Sequence, residues 1–274
     1  MNSELVSKFF REDKLPHIWC PGCGHGIIMR SIAQAIENLG LDKDNVVIVS
    51  GIGCSSRAPG YMDFNTLHTT HGRALAFATG VKHANPELEV IVITGDGDAS
   101  AIGGNHLIHA CRRNIGITTI VFNNNIYGMT GGQYSPTTPS GDLGTTAPYG
   151  NIDPTFDIAK LAAAAGATYS ARTTAYHARP MTKYIEKAIA HKGFSLVEAI
   201  SVCPTYYGRK NKKGNAVQML NYLKDSFVDV KAAEKLPEEK LVGKHIMGEF
   251  KHDETQREYT EKYAEVIERM KGAK

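Results

Sequence analysis

No stretch of this 274-residue sequence approaches the roughly 20 consecutive apolar residues that a membrane-spanning helix needs, so no membrane is expected among its partners. The opening residues, MNSELVSKFFREDKLP, lack the apolar core of a signal peptide, and a cytoplasmic location is expected. Excess charge is also missing. The 31 Lys and Arg stand against 28 Asp and Glu, a formal net charge of +3, which argues against a nucleic-acid binder. There is no internal repeat or low-complexity tract. Cysteine is scarce and odd in number: the five are Cys20, Cys23, Cys54, Cys111 and Cys203. Without a secretory leader, such a set points to reduced thiols, metal ligands or catalysis rather than disulfides.

What is present is an ordinary globular core, 42% hydrophobic, in a chain long enough for one large domain and an appendage. Apolar runs at 46–50 (VVIVS), 88–94 (LEVIVIT), 117–122 (ITTIVF) and 194–200 (FSLVEAI) are continuous rather than alternating, as strands buried on both faces are. Helices are predicted at about 26–38, 72–84, 102–113, 155–165 and 179–191, the fourth opened by Asp153 and Pro154 and closed near Gly166. This alternation predicts an α/β fold, a parallel sheet with helices on both faces and its chemistry in loops at the carboxyl ends of the strands.

Two stretches break the alternation. Residues 128–152 form a long Gly/Pro/Thr-rich segment, expected to be a binding loop. Beyond Cys203 the chain turns basic (Arg209, Lys210, Lys212, Lys213) and then highly charged, with no strand signal. The expected division is a cofactor-binding domain at 1–205 and a helical C-terminal appendage at 206–274.

The most informative segment is Gly95-Asp96-Gly97-Asp98-Ala99, directly after one strand and before a helix. Glycines there let the backbone approach a phosphate, and a helix N-terminus favours the anion. Asp96 adds a hard oxygen ligand for Mg²⁺. Alone, Gly-Asp-Gly is an ordinary turn at odds of about three to one. The run Asn123-Asn124-Asn125, at the end of the next strand, reverses those odds, because adjacent parallel strands would bring an asparagine and Asp96 to one cation.

Cys20-Pro-Gly-Cys23 is a hairpin of the kind that turns two thiolates onto one metal, and by itself it fits a redox dithiol or half a zinc site equally well. No second C-x-x-C follows, which disfavours a zinc ribbon. Cys54 and Cys203 each stand just past a predicted strand, on the same edge as the Gly95–Asp98 turn, so four thiolates could converge there. Such a set, with Pro204 after Cys203, is compatible with [4Fe–4S], although tetrahedral zinc uses the same ligands. Cys111, in an apolar helix, reads as a small buried hydrophobe. His68 and His71, ahead of Arg73, are poised evenly between packing and proton transfer. Arg57 is a candidate for a substrate carboxylate, against the commoner solvated surface arginine. The basic run 209–213 suits an anionic partner, though a solvated loop is about twice as common a reading. Tyr206 and Tyr207 read as packing residues.

The GDG and NN pair resembles the fingerprint of thiamine-diphosphate enzymes. Trp19-Cys-Pro-Gly-Cys-Gly-His25, Gly51-Ile-Gly-Cys54-Ser-Ser, His68-Thr-Thr-His71-Gly-Arg73, GDGD and Val202-Cys203-Pro204 occur in the order found in β subunits of 2-oxoacid:ferredoxin oxidoreductases, a resemblance covering about residues 15–215. It implies a thiamine-diphosphate-binding fold. Mg²⁺ would be held by Asp96, Asn124 and the Ile126 carbonyl, the register choosing Asn124 because Tyr127-Gly128-Met129-Thr130 then aligns with N-x-x-Y-G-x-T. Gly95, Gly97, Asp98, Ala99 and Thr130 would line the diphosphate, Met129 would support the cofactor, and Cys20, Cys23, Cys54 and Cys203 would hold [4Fe–4S].

The resemblance also favours His71 over His68 as a catalytic residue. It implies oxidation of a 2-oxoacid with loss of CO₂, acyl transfer to coenzyme A and reduction of ferredoxin. A partner α subunit must bring the glutamate that such cofactors need, giving αβ or α2β2. 2-Oxoglutarate is the expected substrate, with Arg57 for its second carboxylate. Pyruvate, branched-chain 2-oxoacids, or a non-redox decarboxylase half with structural zinc are the alternatives.

Overall fold

The strands of the protein, in chain order, are β1 (Val46–Ser50), β2 (Asn65–His68), β3 (Glu89–Gly95), β4 (Thr118–Asn123), the short pair β5 (Ile126–Tyr127) and β6 (Gln133–Tyr134), β7 (Tyr169–Thr174), β8 (Ser195–Ile200), β9 (Phe227–Asp229) and β10 (His245–His252). They come from a computed structural model that describes residues 3–272; residues 1–2 and 273–274, the ends of the two expected units, lie outside the described residues. The helices are α1 (Ser3–Phe9), α2 (His25–Asn38), α3 (Ala58–Tyr61), α4 (Ala74–Ala84), α5 (Gly104–Arg113), α6 (Ile158–Ala164), α7 (Ala178–Ala190), α8 (Ala216–Ser226), α9 (Val230–Ala233) and α10 (Tyr259–Gly272).

Eight strands make one sheet in the order β2-β1-β3-β4-β8-β7-β10-β9. From β2 through β7 all neighbours are parallel. The continuous apolar runs are explained by the two cores they serve. In β3, Ile91 and Ile93 point to one face, where α1, α2, α3 and α7 pack. Val90 and Val92 point to the other, against α4, α5 and α6. Helix α2 shows the matching helical period: Ile28, Ile32 and Ile36 are wholly buried, each contributing about 1.5–3 kcal/mol of transfer free energy.

Strand β7 has no apolar run, yet all six residues of Tyr-Ser-Ala-Arg-Thr-Thr are buried. Two of its polar side chains find distant partners: Ser170 Oγ donates to the Ala159 carbonyl at 2.7 Å, and Arg172 pairs with Glu198. Buried polar groups are tolerated on those terms. The C-terminal stretch differs from the expectation of helices without strands. It carries α8, α9 and α10, but β10 pairs antiparallel with β7 and β9 pairs parallel with β10, so residues past 206 complete the sheet. The cause is that β10 is an outer strand of mixed polarity, bulged between Glu249 and Lys251, with no local apolar signature.

Strand β1 leads to α3 on one face, whereas its neighbour β3 leads to α5 on the other. Connections that depart in opposite directions leave a crevice at the carboxyl ends of the two strands. The chemistry-bearing motifs lie there.

Candidate active site

The crevice is lined by Ile52, Gly53, Cys54 and Ser55 from the end of β1, Gly95 to Asp98 from β3, Asn124 to Thr130 beyond β4 except Asn125, and by His25, His71 and Phe122. The cysteine side is assembled from three loops. Gly24, left-handed at φ 88°, turns the Cys20–Cys23 hairpin into α2, where a Cβ would strike Ala175 at 2.7 Å. The Cys23 carbonyl accepts from the Val202 amide at 3.1 Å, tying the hairpin to the Cys203 loop. A Cβ at Gly128 would lie 3.5 Å from Cys54 Sγ and 3.6 Å from Cys203 Sγ, so both sulfurs face the turn that follows Asn124. Thr205 Oγ1 donates to Cys20 Sγ at 3.2 Å.

Burial, then the neighbouring thiols, push Cys23 and Cys54 up to about 11. Among the described residues no three His, Cys, Asp or Glu side chains close around a single-ion position. The four grouped thiols are a donor set that fits [4Fe–4S], and tetrahedral zinc uses the same ligands. Cys111 stands apart, fully buried in the core beneath α5.

Asp96 is 3% exposed, and its partners are neutral: Ser135 Oγ donates at 2.5 Å and Thr137 Oγ1 at 2.7 Å, both to Oδ2. Burial raises its pKa against those bonds. A buried carboxylate facing only hydroxyls lacks a countercharge, which suits a divalent cation. Of the three asparagines, Asn123 is committed: Nδ2 donates to Glu198 at 2.8 Å while Oδ1 accepts from Thr137 at 3.0 Å and from the Asn125 amide at 3.0 Å. Asn125 takes the left-handed conformation at φ 62°, and its carbonyl accepts from Thr138 Oγ1. Asn124 is the one that lines the crevice with Asp96 and Ile126.

The other face of the asparagine run borders a cavity of about 510 Å³, walled by Phe156, Tyr207, Tyr222 and Leu223 and by the ion network of Arg172. There the Arg172 Nε donates to Glu198 at 2.7 Å, and its other arm pairs with Asp157. Burial opposes the guanidinium's charge, but the two carboxylates hold its pKa above the usual value.

Asp98 lines the crevice, but its carboxylate is not left for a diphosphate. Oδ1 meets His71 Nδ1 at 2.5 Å and accepts from the Gly72 amide at 2.7 Å, and Oδ2 accepts from Thr94 Oγ1 at 2.7 Å. Gly51 makes room for it, since a Cβ there would lie 2.0 Å from Asp98 Oδ2. The bond to Nδ1 fixes the ring, which is half-buried, and leaves Nε2 as its unengaged nitrogen. Gly97 is also glycine for a packing reason, because a Cβ would meet the Tyr127 ring at 2.2 Å. Tyr127 in turn donates its hydroxyl to the Gly97 carbonyl at 3.2 Å.

Other expected residues are placed as follows. Ala99 packs its methyl into the core with Val49 and Leu107, so only its main chain remains for a ligand. Met129 and Thr130 line the crevice mouth, Met129 at 42% exposure. Arg57 is exposed at the end of the turn after Cys54, and His68 is exposed and bonded through Nδ1 to Ser50 Oγ at 3.0 Å. Lys213 pairs with Asp142, and Tyr207 is buried with its hydroxyl on the same carboxylate.

Sequence reasoning missed four residues of this site. Ser135 and Thr137 lie far along the chain from Asp96, and no local pattern marks them. Ser55 Oγ is buried without a partner, 3.3 Å from where a Gly95 Cβ would be, and so is free for an anion cradled by that turn. His25 is the fourth: burial lowers its pKa to about 3, keeping the imidazole neutral.

Residues 51–199 match the family model described as thiamine pyrophosphate enzyme, C-terminal TPP binding domain. The chain is 53% identical over 265 residues to the 2-oxoglutarate synthase subunit KorB of Methanocaldococcus jannaschii, covering 97% of this chain and 98% of that one. It is 47% identical over 190 residues to the 2-oxoacid:ferredoxin oxidoreductase subunit beta of Saccharolobus solfataricus, covering 69% of this chain and 62% of that one. Among solved structures it is similar to a 2-oxoglutarate:ferredoxin oxidoreductase from Magnetococcus marinus with 2-oxoglutarate, coenzyme A and succinyl-CoA bound. That likeness has a TM-score of 0.85 and 34% identity, over 97% of this chain and 90% of that one.

Proposed function

Because this chain belongs to the β subunits of the 2-oxoacid:ferredoxin oxidoreductases, we propose that with an α subunit it oxidatively decarboxylates 2-oxoglutarate, yielding succinyl-CoA and CO₂ and reducing ferredoxin. The observation that carries this is a group of four thiols, one of them lining the crevice, beside a buried carboxylate without a countercharge. The choice of 2-oxoglutarate leans on the names of the similar subunit and of the similar structure. Arg57, exposed beside the Cys54 turn, is our candidate for the second carboxylate.

Thiamine diphosphate supplies the electron sink that loss of CO₂ from a 2-oxoacid requires. Asp96, Asn124 and the Ile126 carbonyl would hold Mg²⁺, and Gly95, Gly97, Thr130 and the Ser55 hydroxyl would face the diphosphate oxygens. Ser135 and Thr137 keep the Asp96 carboxylate aimed before any cation arrives, which removes an ordering cost from binding. His71, fixed through Nδ1, would present Nε2 for proton transfer at the bound substrate. Cys20, Cys23, Cys54 and Cys203 would hold a [4Fe–4S] cluster, which Cys54 would bring to the wall of the same crevice and so within reach of the electrons released.

No helix among the described residues is long and apolar enough to cross a membrane, which is consistent with our placing the enzyme in the cytoplasm. The test is anaerobic purification of this chain with its α partner, followed by the visible spectrum on adding 2-oxoglutarate and coenzyme A. The expected result is a brown protein that bleaches only when thiamine diphosphate is bound. Bleaching with a different 2-oxoacid alone would replace the substrate, and a colourless protein holding zinc would end the redox proposal.

A further inference from the structure

His25 opens α2 two positions after Cys23, and only 2% of it is exposed. Its ring lines the crevice with Cys54 and Asp96, yet neither Nδ1 nor Nε2 has a hydrogen-bond partner. The ring cannot swing out to find one. Trp19 packs edge-on against it at 5.5 Å between centroids, and Phe122 does so from β4 at 5.2 Å. Trp19 is itself anchored, donating Nε1 to the Cys54 carbonyl at 2.7 Å. The His25 backbone amide already points at Cys23 Sγ, 3.5 Å away. The imidazole is thus held between the first cysteine hairpin and the Cys54 turn.

A neutral imidazole always carries one N–H. Leaving that donor buried and unpaired costs about 1–3 kcal/mol, and an apolar ring would fill the same aromatic niche without the cost. The polar ring therefore calls for an acceptor that the chain does not itself contain. Cluster sulfurs are acceptors only, and Cys54, one of the four thiols, lines the same crevice as the ring.

We propose that His25 donates a hydrogen bond to a sulfur of the cluster held by Cys20, Cys23, Cys54 and Cys203, and thereby raises its reduction potential. This rests on the cluster proposed above. A donor to sulfur stabilises the reduced, more negative cluster more than the oxidised one, so removing it makes reduction harder.

The experiment uses the αβ holoenzyme and its His25→Phe and His25→Gln variants. Iron and zinc are measured first, then the midpoint potential by redox titration followed by EPR, then thiamine diphosphate affinity. In His25→Phe the iron content stays at the wild-type level and the midpoint moves to more negative values, with the reduction equilibrium falling about tenfold, or about 59 mV for one electron. His25→Gln, which restores a side-chain N–H, recovers part of that shift. A fully loaded His25→Phe enzyme with an unchanged midpoint overturns the proposal, and a weakened thiamine diphosphate affinity alongside it would reassign the N–H to that cofactor. Should His25→Phe not load iron, pulsed EPR of the reduced wild-type enzyme with histidine labelled only at its ring nitrogens decides. A labelled-nitrogen coupling upholds the proposal and its absence overturns it. An iron-free wild-type holoenzyme instead overturns the cluster itself, a failure the metal analysis separates from the rest.

Discussion

The two halves of the crevice are built on opposite terms. On the carboxylate side, Asp96 and Asn123 are clamped by Thr137, and Asp96 also by Ser135, so the carboxylate and the start of the asparagine run are arranged by the fold. On the thiol side, hydrogen bonds to sulfur are few, from Thr205 to Cys20 and from the His25 amide to Cys23, and burial holds Cys23 and Cys54 protonated. One half is preorganised by hydrogen bonds, whereas the other is a group of thiols with few such ties. The difference teaches that a shared crevice can order one ligand set by tertiary contacts and leave the other to be completed by what it binds.

The sharpest way to break that comparison is Cys54→Ser in the αβ enzyme. If the thiol half depends on its bound group, the variant loses its iron and brown colour and all ferredoxin reduction. Thiamine diphosphate affinity should stay within about threefold, because the clamps on Asp96 do not involve the thiols. Metal analysis and cofactor titration read both, and loss of the two together would show that the halves are one cooperative unit. The converse variant, Asp96→Asn, removes the charge that a divalent cation needs while keeping the shape. Magnesium-dependent thiamine diphosphate binding should fall by about 100-fold or more with iron content unchanged. Retention of tight binding would mean that another carboxylate carries the cation.

The two halves were not equally legible in the sequence. Cys20, Cys23, Cys54 and Cys203 stand out because cysteine is rare here and two of them follow apolar runs that become β1 and β8. Asp96 and Asn124 were visible for the same reason, a polar turn on the end of a buried strand. What props Asp96 was hidden. Ser135 and Thr137 belong to a loop whose composition marks it as functional without saying which atoms it delivers. Asp98 was expected to line the diphosphate, and its carboxylate turns back through the gap at Gly51 to His71, which leaves its main chain for that role. In the fold, β3, β4 and β8 were legible as apolar runs. β7 and β10 were not: β7 is buried through partners such as Glu198, and β10 is a bulged strand of mixed polarity, neither of which local periodicity encodes.

The comparison can be sharpened from behind the asparagine run. Glu198 is 2% exposed and joins Asn123 to Arg172. Glu198→Ala leaves Arg172 buried with only Asp157 as its carboxylate partner, so a loss of about 3 kcal/mol in unfolding free energy is expected. It also frees the Asn123 carboxamide, and thiamine diphosphate affinity should fall by about tenfold. Glu198→Gln keeps an acceptor for Asn123 but not the charge for Arg172, and should therefore spare cofactor affinity more than stability. Denaturant unfolding beside cofactor titration separates the two effects. Equal losses in both variants would mean that charge, not the bond to Asn123, positions the loop.

The smallest expected effect tests preorganisation most directly. Thr137 Oγ1 lies 2.7 Å from Asp96 Oδ2 and 3.0 Å from Asn123 Oδ1. One hydroxyl hydrogen cannot serve both at full strength, and the charged acceptor is the stronger claim. Thr137→Val keeps the shape and deletes the hydroxyl. Asn123 still has the Asn125 amide and Glu198, and Asp96 still has Ser135, so neither side chain loses its place entirely. The cost to folding should be about 1 kcal/mol, the net worth of one such bond. Magnesium-dependent thiamine diphosphate affinity should fall by several-fold, at the lower end of what removing a partner of a metal ligand does. Iron content and the cluster's midpoint should not move, because Thr137 meets none of the thiols. A shift in that midpoint would place the hydroxyl in the electron path and would erase the division between the halves.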